Sequence, residues 1–217
     1  MRGELKLEQG WISERLAEEF PQLRVVSALV AAAPAQADPG VAERLGYLAS
    51  RFNGRRAVEL RREPVPAAYR VFFRHIGLDP DVTRTPIEQA ALARLVEGGH
   101  LSRGRLADAL LLALLETGVP VSAFDAAAVS GPVGLREAGR GEVLAGGERP
   151  AQLEPGRLVL ADADRPLGEL FADIAQDALP SRTTQALRLV VVQVPHVPQT
   201  HTEEALWTCA EALKPSA

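Results

Sequence analysis

Residues 117–138, which read TGVPVSAFDAAAVSGPVGLREA, are the stretch on which the interpretation of the fold depends. Gly118 is typical of the end of a helix, and the run VPVSAFD that follows it predicts a strand. After a bend, GPVGLREA predicts a second strand. The short polar run from Ser122 to Asp125 lies at the turning point between the two strands. Its side chains could serve either to cap the turn or to form a functional site.

Two helices are predicted immediately before this stretch. GRLADALLLALLETG, residues 104–118, is apolar on nearly every side, which favours a buried helix. TRTPIEQAALARLVEGG, residues 83–99, carries a complete start signal, with Thr85 as N-cap, Pro86 at the first helical position and Glu88 completing a capping box. The two glycines at its end terminate this helix.

The first half of the chain predicts helices around one strong strand. LRVVSALVAA, residues 23–32, is continuously apolar and β-branched, which suits a strand buried on both faces. RAVELRR, residues 56–62, alternates like a second strand, which Pro64 and Pro66 end. Helical spacing predicts the other elements, at residues 11–20, 41–50 and 66–77, the last closed by Gly77.

Short strands and turns dominate the second half. Strands are predicted for GEVLAGG, GRLVLAD and, most strongly, LRLVVVQV at residues 187–194, with a turn at Glu154, Pro155 and Gly156. A last helix, THTEEALWTCAEALK, is predicted with Thr202 as N-cap and Pro215 after its end. Helices in the N-terminal half and a mainly antiparallel sheet in the C-terminal half indicate the α+β class.

Composition limits the kinds of partner and compartment. The 217 residues carry a net charge of -4, with 12 basic and 9 acidic residues up to His75 and 12 basic and 19 acidic residues after it. Because proteins that grip many phosphates carry a basic excess, any RNA contact is expected to be small or transient. Cys209 is the only cysteine, which fits a reducing compartment. No signal peptide or membrane span is visible, so we expect a soluble, cytoplasmic protein.

Motifs of the common nucleotide enzymes are absent from the sequence. There is no Gly-x-Ser-x-Gly elbow, no phosphate-binding Gly-Lys loop and no Gly-x-Gly-x-x-Gly fingerprint. The four histidines, His75, His100, His196 and His201, are scattered, and no third ligand clusters with the last two. We therefore predict no metal site and no cofactor.

The order of several motifs resembles a known family. AAYRVFFRHIGLDP, RTPIEQAALARLVEGG, GRLADALLLALLETGVPVSAFDAAAV, GPVGLREAGRGE and PGRLVLAD follow one another as in the tRNA-editing region of the bacterial phenylalanyl-tRNA synthetase beta chain, its third and fourth modules. The resemblance is strongest from Tyr69 to Asp162. It implies one free-standing domain over residues 1–217, with an N-terminal α/β part at about 1–68 and a core with a pocket at about 69–217. It also implies a hydrolase that removes wrongly attached amino acids from tRNA, with tRNA as a transient partner.

The resemblance also suggests site residues. Pro120, Ala123, Phe124 and Asp125 match the family pattern, and Ser122 stands at the position of the family histidine. Asp108 matches the aspartate of a Val-Asp-x-x-Asn pattern, but Leu111 replaces the asparagine, and the later glycine-rich segment and glutamate have no counterpart. The candidates for catalysis are Ser122 and Asp125, and those for substrate binding are Asp108, Phe124, Arg136, Glu88 and Thr85.

Several of these candidates also have a purely structural interpretation. Asp125 can cap the turn after its strand, and the capping box already accounts for Thr85 and Glu88. A buried Asp108 needs a charged partner or a hydrogen-bond network, for which the sequence offers Arg103, Arg105 or Arg136. The aromatic residues Tyr69, Phe72 and Phe73 have the helical spacing of a core rather than of a base-stacking platform.

Three functions stay open at this point. The first is an aminoacyl-ester hydrolase acting on mischarged tRNA, in which Ser122 shapes the pocket as a hydrogen-bond donor rather than acting as the nucleophile, because no base is expected near it. The second is a non-catalytic RNA or aminoacyl-tRNA binding module with the same fold. The third is a small-molecule pocket adapted to another use.

Overall fold

Segments far apart in the sequence combine to form each of the two units of the structure. The computed structural model describes residues 5–32, 38–51, 53–99, 102–145 and 150–214. Met1–Ala32 and Ser122–Gln193 form one unit, which we call the sheet unit. Ala33–Val121 and Val194–Ala217 form the other, which we call the helical unit. The single-domain boundaries expected from the resemblance stay a prediction.

A four-stranded sheet is the main element of the sheet unit. In spatial order it contains β1 (Leu7–Gln9), β2 (Arg24–Ala31), β9 (Ala186–Gln193) and β3 (Val121–Asp125). β2 and β9 are antiparallel over eight residue pairs, from Arg24 opposite Gln193 to Ala31 opposite Ala186. Val25 and Val191 in these strands are fully buried, but Leu29 of β2 is 52% exposed, so β2 is not buried on both faces along its whole length as predicted. The strands predicted at residues 23–32 and 187–194 are confirmed.

A second, smaller antiparallel sheet completes this unit. It pairs β4 (Gly134–Glu137) with β7 (Leu158–Ala161), and β7 with β8 (Pro166–Glu169). A two-stranded ribbon of β5 (Val143–Leu144) and β6 (Ala151–Gln152) and the short helix α1 (Glu14–Glu19) accompany it. The predicted turn is present, since the Arg157 N–H donates to the Glu154 carbonyl at 3.1 Å and Gly156 has a φ of 87°.

Helices build the second unit. They are α2 (Pro39–Arg51), α3 (Gly54–Glu59), α4 (Pro64–His75), α5 (Pro86–Glu97), α6 (Arg105–Thr117) and α7 (Gln199–Leu213), with a 3₁₀ turn at Leu60–Arg62. Tyr69, Phe72 and Phe73 of α4 are each 1% exposed, so the predicted aromatic core is confirmed. Gly77 follows α4 with a φ of 79°, and the Leu78 N–H donates to the Phe73 carbonyl at 2.8 Å, which closes the helix as predicted.

The strand predicted at residues 56–62 is wrong. This segment is α3 followed by the 3₁₀ turn, because the Asn53 side chain accepts a hydrogen bond from the Arg56 N–H at 2.9 Å and caps a helix. Pro64 then stands in the first turn of α4 instead of ending a strand, a position where its missing N–H costs nothing.

Two helix starts also differ from prediction. α7 begins at Gln199 with Pro198 as its N-cap, so Thr202 lies inside the helix, fully buried, and is not the cap. α1 begins at Glu14 rather than at residue 11, because Ile12 is engaged in a bridge with Leu135. Pro215 and His100 lie outside the described residues.

The predicted α+β class is confirmed, since helices and antiparallel sheets both occur and form separate units. Within the described ranges, none of the helices combines the length and the apolar character that a membrane crossing requires.

Candidate functional site

Asp125 stands at the end of β3 and is held by two hydrogen bonds. Its Oδ1 accepts from the Ala127 N–H at 3.0 Å, which caps a short 3₁₀ turn. Its Oδ2 accepts from the Thr184 hydroxyl at 2.5 Å, and the Thr184 Oγ1 in turn accepts from the Ser181 N–H at 2.9 Å. Asp125 therefore fixes the end of β3 to the segment before β9, and sequence reasoning missed its partner Thr184.

Ser122 and Phe124 lie on the same strand in different surroundings. Phe124 is fully buried, so its ring belongs to the core. Ser122 is half-buried, and no hydrogen bond joins its hydroxyl to any residue that the structure describes. A hydroxyl offers one donor and two acceptor positions, so Ser122 can still bind a ligand.

Arg136, on β4, is engaged by a carboxylate. Its two terminal nitrogens donate to Glu142 at 2.7 and 2.6 Å, and one of them also donates to the Glu137 carbonyl at 3.0 Å. The hydrogen bonds from Arg136 lower the pKa of Glu142 below its ordinary value, and those to Glu142 raise the pKa of Arg136. Arg136 therefore stabilises the turn after β4, and its guanidinium has few donors left for a substrate.

Asp162 is a second carboxylate that organises loops of the sheet unit. It is 4% exposed and accepts the backbone N–H groups of Ser130, Asp164 and Arg165, each at 2.9 Å. Burial raises the pKa of Asp162, but the three N–H groups outweigh this effect and lower it overall. The loop that follows β3 is therefore tied to the end of β7, because Ser130 lies in that loop.

Thr85 and Glu88 form the predicted capping box at the start of α5. The Glu88 Oε2 accepts from the Thr85 N–H at 3.2 Å and from its hydroxyl at 2.8 Å. The Glu88 Oε1 accepts from Arg70 at 2.6 Å and pairs with Arg61 at 2.9 Å. Thr85 and Glu88 are 0% and 5% exposed, and both therefore act within the helical unit as cap and ion-pair residues.

Asp108, in the first turn of α6, is buried without a guanidinium partner among the described residues. Its Oδ2 accepts from the Ser102 hydroxyl at 2.5 Å and its Oδ1 from the Arg103 N–H at 3.0 Å. The Arg103 guanidinium pairs with Glu97 at 2.8 Å and that of Arg105 with Asp38 at 3.3 Å. The expected ion pair is thus replaced by a hydrogen-bond network. Asp108 also borders a groove of about 220 Å³ at α5 and α6.

A larger cavity, of about 510 Å³, lies within the helical unit. Both apolar and charged side chains line it. The lining residues are Leu48, Arg51, Arg56, Leu60, Glu63, Pro64, Val65, Pro66, Ile87, Leu115, Glu116, Thr117, Gly118 and His201. Sequence reasoning did not find this cavity, because its wall draws on segments that no single motif connects.

The structure thus divides the seven candidates between the units. Ser122, Phe124, Asp125 and Arg136 belong to the sheet unit, and Thr85, Glu88 and Asp108 belong to the helical unit. Only Thr85 and Glu88 are joined directly by a hydrogen bond. The part of the chain that the structure describes contains no group of three or more histidine, cysteine or acidic side chains that could hold a metal ion.

Comparison with known proteins finds one domain family and several similar proteins. The B3/4 domain matches residues 68–190, which include all seven candidate residues. Phenylalanine–tRNA ligase beta subunits are similar to parts of the chain. That of Xanthomonas campestris pv. campestris is 39% identical over 92 residues, 42% of this chain and 11% of the relative. That of Chromobacterium violaceum is 39% identical over 75 residues, 34% of this chain and 10% of the relative.

A third relative extends the similarity. The beta subunit of Xanthomonas oryzae pv. oryzae is 34% identical over 118 residues, which is 54% of this chain and 14% of the relative. The chain therefore spans only a small part of the length of these subunits. The resemblance to the phenylalanyl-tRNA synthetase beta chain is confirmed.

Proposed function

The chain belongs to the B3/4 domain family, and on this premise we propose that it hydrolyses the ester bond of mischarged aminoacyl-tRNA, acting in trans. The similarity to phenylalanine–tRNA ligase beta subunits supports tRNA as the partner. The geometric observation that carries the proposal is the Ser122 hydroxyl. It stands on a strand whose end is fixed by Asp125 and has no hydrogen-bond partner among the described residues.

In the proposed reaction, water attacks the ester carbonyl carbon. The bond from this carbon to the ribose oxygen then breaks, and that oxygen takes up a proton, which yields the free amino acid and the uncharged tRNA. An aminoacyl ester is already activated, so positioning the water and donating hydrogen bonds to the developing oxyanion can supply the acceleration. Ser122 is proposed as one such donor.

The sheet unit favours this role for Ser122 over that of a nucleophile. A serine nucleophile needs a base within hydrogen-bond reach, and no histidine occurs in residues 1–32 or 122–193. Both oxygens of Asp125 already accept hydrogen bonds. A hydroxyl of the terminal ribose is therefore proposed to assist the proton transfer.

A panel of correctly and incorrectly charged tRNAs tests the proposal. We expect the protein to accelerate loss of the ester from one mischarged species. Ser122→Ala should slow this loss by about 10- to 1,000-fold or change which ester is cleaved, as expected for removing one oxyanion donor. Ser130→Ala is the matched control, because Ser130 is an exposed serine of the same unit whose contacts are made by its backbone.

Two results would contradict the proposed role of Ser122. One is a Ser122→Ala protein that cleaves every ester at the wild-type rate. The other is a covalent aminoacyl-Ser122 species trapped during turnover, which would establish a nucleophile instead of a donor.

A second candidate function is a non-catalytic aminoacyl-tRNA binding module. It is favoured by the absence of histidine from the sheet unit and by the engagement of Asp125. In the same panel, this function predicts binding without loss of the ester. Because the net charge is -4, either function predicts a shallow dependence of the binding constant on salt, reflecting few phosphate contacts.

A further inference from the structure

The cavity of about 510 Å³ in the helical unit is lined by none of the seven candidate residues. Its size lies within the range of about 300–1,000 Å³ that is typical of small-molecule sites. Leu60, Ile87 and Leu115 contribute apolar wall. Gly118 is part of the same wall, with a φ of 75°, and a Cβ there would lie 3.1 Å from the Val65 Cγ1. A glycine at this position therefore keeps this part of the wall free of a side chain.

The wall holds two arginines and two carboxylates, but Arg44, which lies outside the lining, pairs with one of the carboxylates and leaves one arginine of the wall unpaired. Glu63 pairs with Arg56 at 2.5 Å, and Glu116 pairs with Arg44 at 2.7 Å, so both carboxylates are neutralised. Arg51 forms no ion pair with any residue within the described ranges. Its guanidinium lies 5.6 Å from the centre of the Tyr47 ring and donates to the Tyr47 hydroxyl at 3.4 Å. The guanidinium of Arg51 is therefore available to form an ion pair with a ligand in the cavity.

His201 also lines this cavity. Its Nδ1 is shielded from solvent and has no hydrogen-bond partner among the residues that the structure describes, so this atom does not face the open volume. The contacts that the wall offers to a ligand are therefore its apolar side chains and the Arg51 guanidinium.

We propose that this cavity binds a small monocarboxylic acid with an apolar body. The carboxylate pairs with Arg51, while the apolar body contacts the leucine and isoleucine wall. This site is independent of the proposed hydrolysis, because it lies wholly within the helical unit and uses no residue of β3.

Calorimetric titration with matched probes tests the proposal. Phenylacetate and hexanoate, an aromatic and an aliphatic acid, should bind with millimolar or tighter affinity, and neutral phenylacetamide should bind at least about tenfold more weakly. Arg51→Ala should weaken acid binding by about tenfold or more. Arg62→Ala is the matched control, since Arg62 is an exposed arginine that does not line the cavity and should leave binding unchanged.

Circular dichroism identifies which variants are folded, and Arg51 is exposed, so its replacement should not disturb the fold. Binding of either acid that depends on Arg51 supports the proposal and shows which apolar body the cavity accepts. The proposal is overturned if neither acid binds the wild-type protein at about 10 mM. It is equally overturned if the amide binds as well as the acid, or if Arg51→Ala binds as tightly as Arg62→Ala.

Discussion

At the scale of single residues, Asp108 shows how a buried carboxylate is kept without an opposing side-chain charge. It is 1% exposed and accepts one hydrogen bond from the Ser102 hydroxyl and one from the Arg103 N–H. Charged acceptors strengthen such hydrogen bonds, so two of them can compensate for much of the cost of burial. Removing the carboxylate leaves no buried cation without a partner. The expected loss of stability is therefore that of the two hydrogen bonds alone.

We predict that Asp108→Ala lowers the free energy of unfolding by about 2 kcal/mol, in the range for lost hydrogen bonds to a charged group. Ser102→Ala, which removes one of the two hydrogen bonds, should cost about 1 kcal/mol. Urea denaturation measures both values. A loss of about 3 to 5 kcal/mol in Asp108→Ala would contradict this account and indicate a broken buried ion pair.

At the scale of elements, close approach of two segments explains a glycine in β4. A Cβ on Gly134 would lie 2.1 Å from the Trp11 Cδ2 and 2.2 Å from its Cε2. The indole cannot simply rotate away, because its Nε1–H donates to the Pro132 carbonyl at 3.0 Å and the Leu135 N–H donates to the Trp11 carbonyl at 2.9 Å. The glycine therefore allows the strand and the indole to pack in direct contact.

Gly134→Ala is expected to lower the free energy of unfolding by about 2 kcal/mol or more, as overpacking does in a close-packed site. Gly46→Ala, in the middle of α2, should have the opposite sign and stabilise by about 0.5–1 kcal/mol, because nothing lies within 4 Å of the added Cβ and alanine favours a helix. Thermal and urea unfolding of the two variants test this contrast. Similar effects of the two substitutions would show that the indole moves freely.

Some of these elements could be predicted from the sequence, and others could not. The start of α5 was predictable because its capping box uses residues three apart, whose hydrogen bonds are local. Residues 56–62 were not, because alternation of apolar residues in so short a segment fits a strand as well as a helix. The Asn53 cap, which decides for the helix, lies before the segment that shows the pattern.

At the scale of the whole molecule, the fold class followed from local patterns, whereas the partners of the candidate residues did not. The sequence placed Asp125 at a turn, but its partner Thr184 lies 59 residues later, and only the folded structure brings the two together. Arg51 and His201 line one cavity although α2 and α7 are separated by most of the chain. Periodicity determines which face of an element is buried but not which distant segment covers it.

Acid stability is also a property of the whole molecule, and the carboxylates determine its sign. Hydrogen bonds from Arg136 lower the pKa of Glu142 from the ordinary 4.5. The pKa values of Asp162 and Asp81 are also lowered from 3.8. A lowered pKa means that the folded state binds protons more weakly than the unfolded state. These carboxylates therefore stabilise the protein when the pH is above their ordinary pKa values, and this stabilisation is lost as the pH falls through their lowered pKa values.

We predict that Glu142→Gln is less stable than the wild type near pH 7, and that the difference shrinks as the pH falls below the ordinary glutamate value of 4.5. The reason is that Glu142 of the unfolded chain takes up a proton first, and folded Glu142 follows as the pH falls through its lowered pKa, so the advantage of pairing with Arg136 disappears. Urea midpoints measured from about pH 7 to about pH 3 test this convergence. Glu18→Gln controls for the change in net charge, because Glu18 is an exposed carboxylate with no ion pair to any residue in the described part of the chain. A difference between Glu142→Gln and wild type that stays constant over the whole series would mean that the Arg136 pair contributes nothing to acid sensitivity.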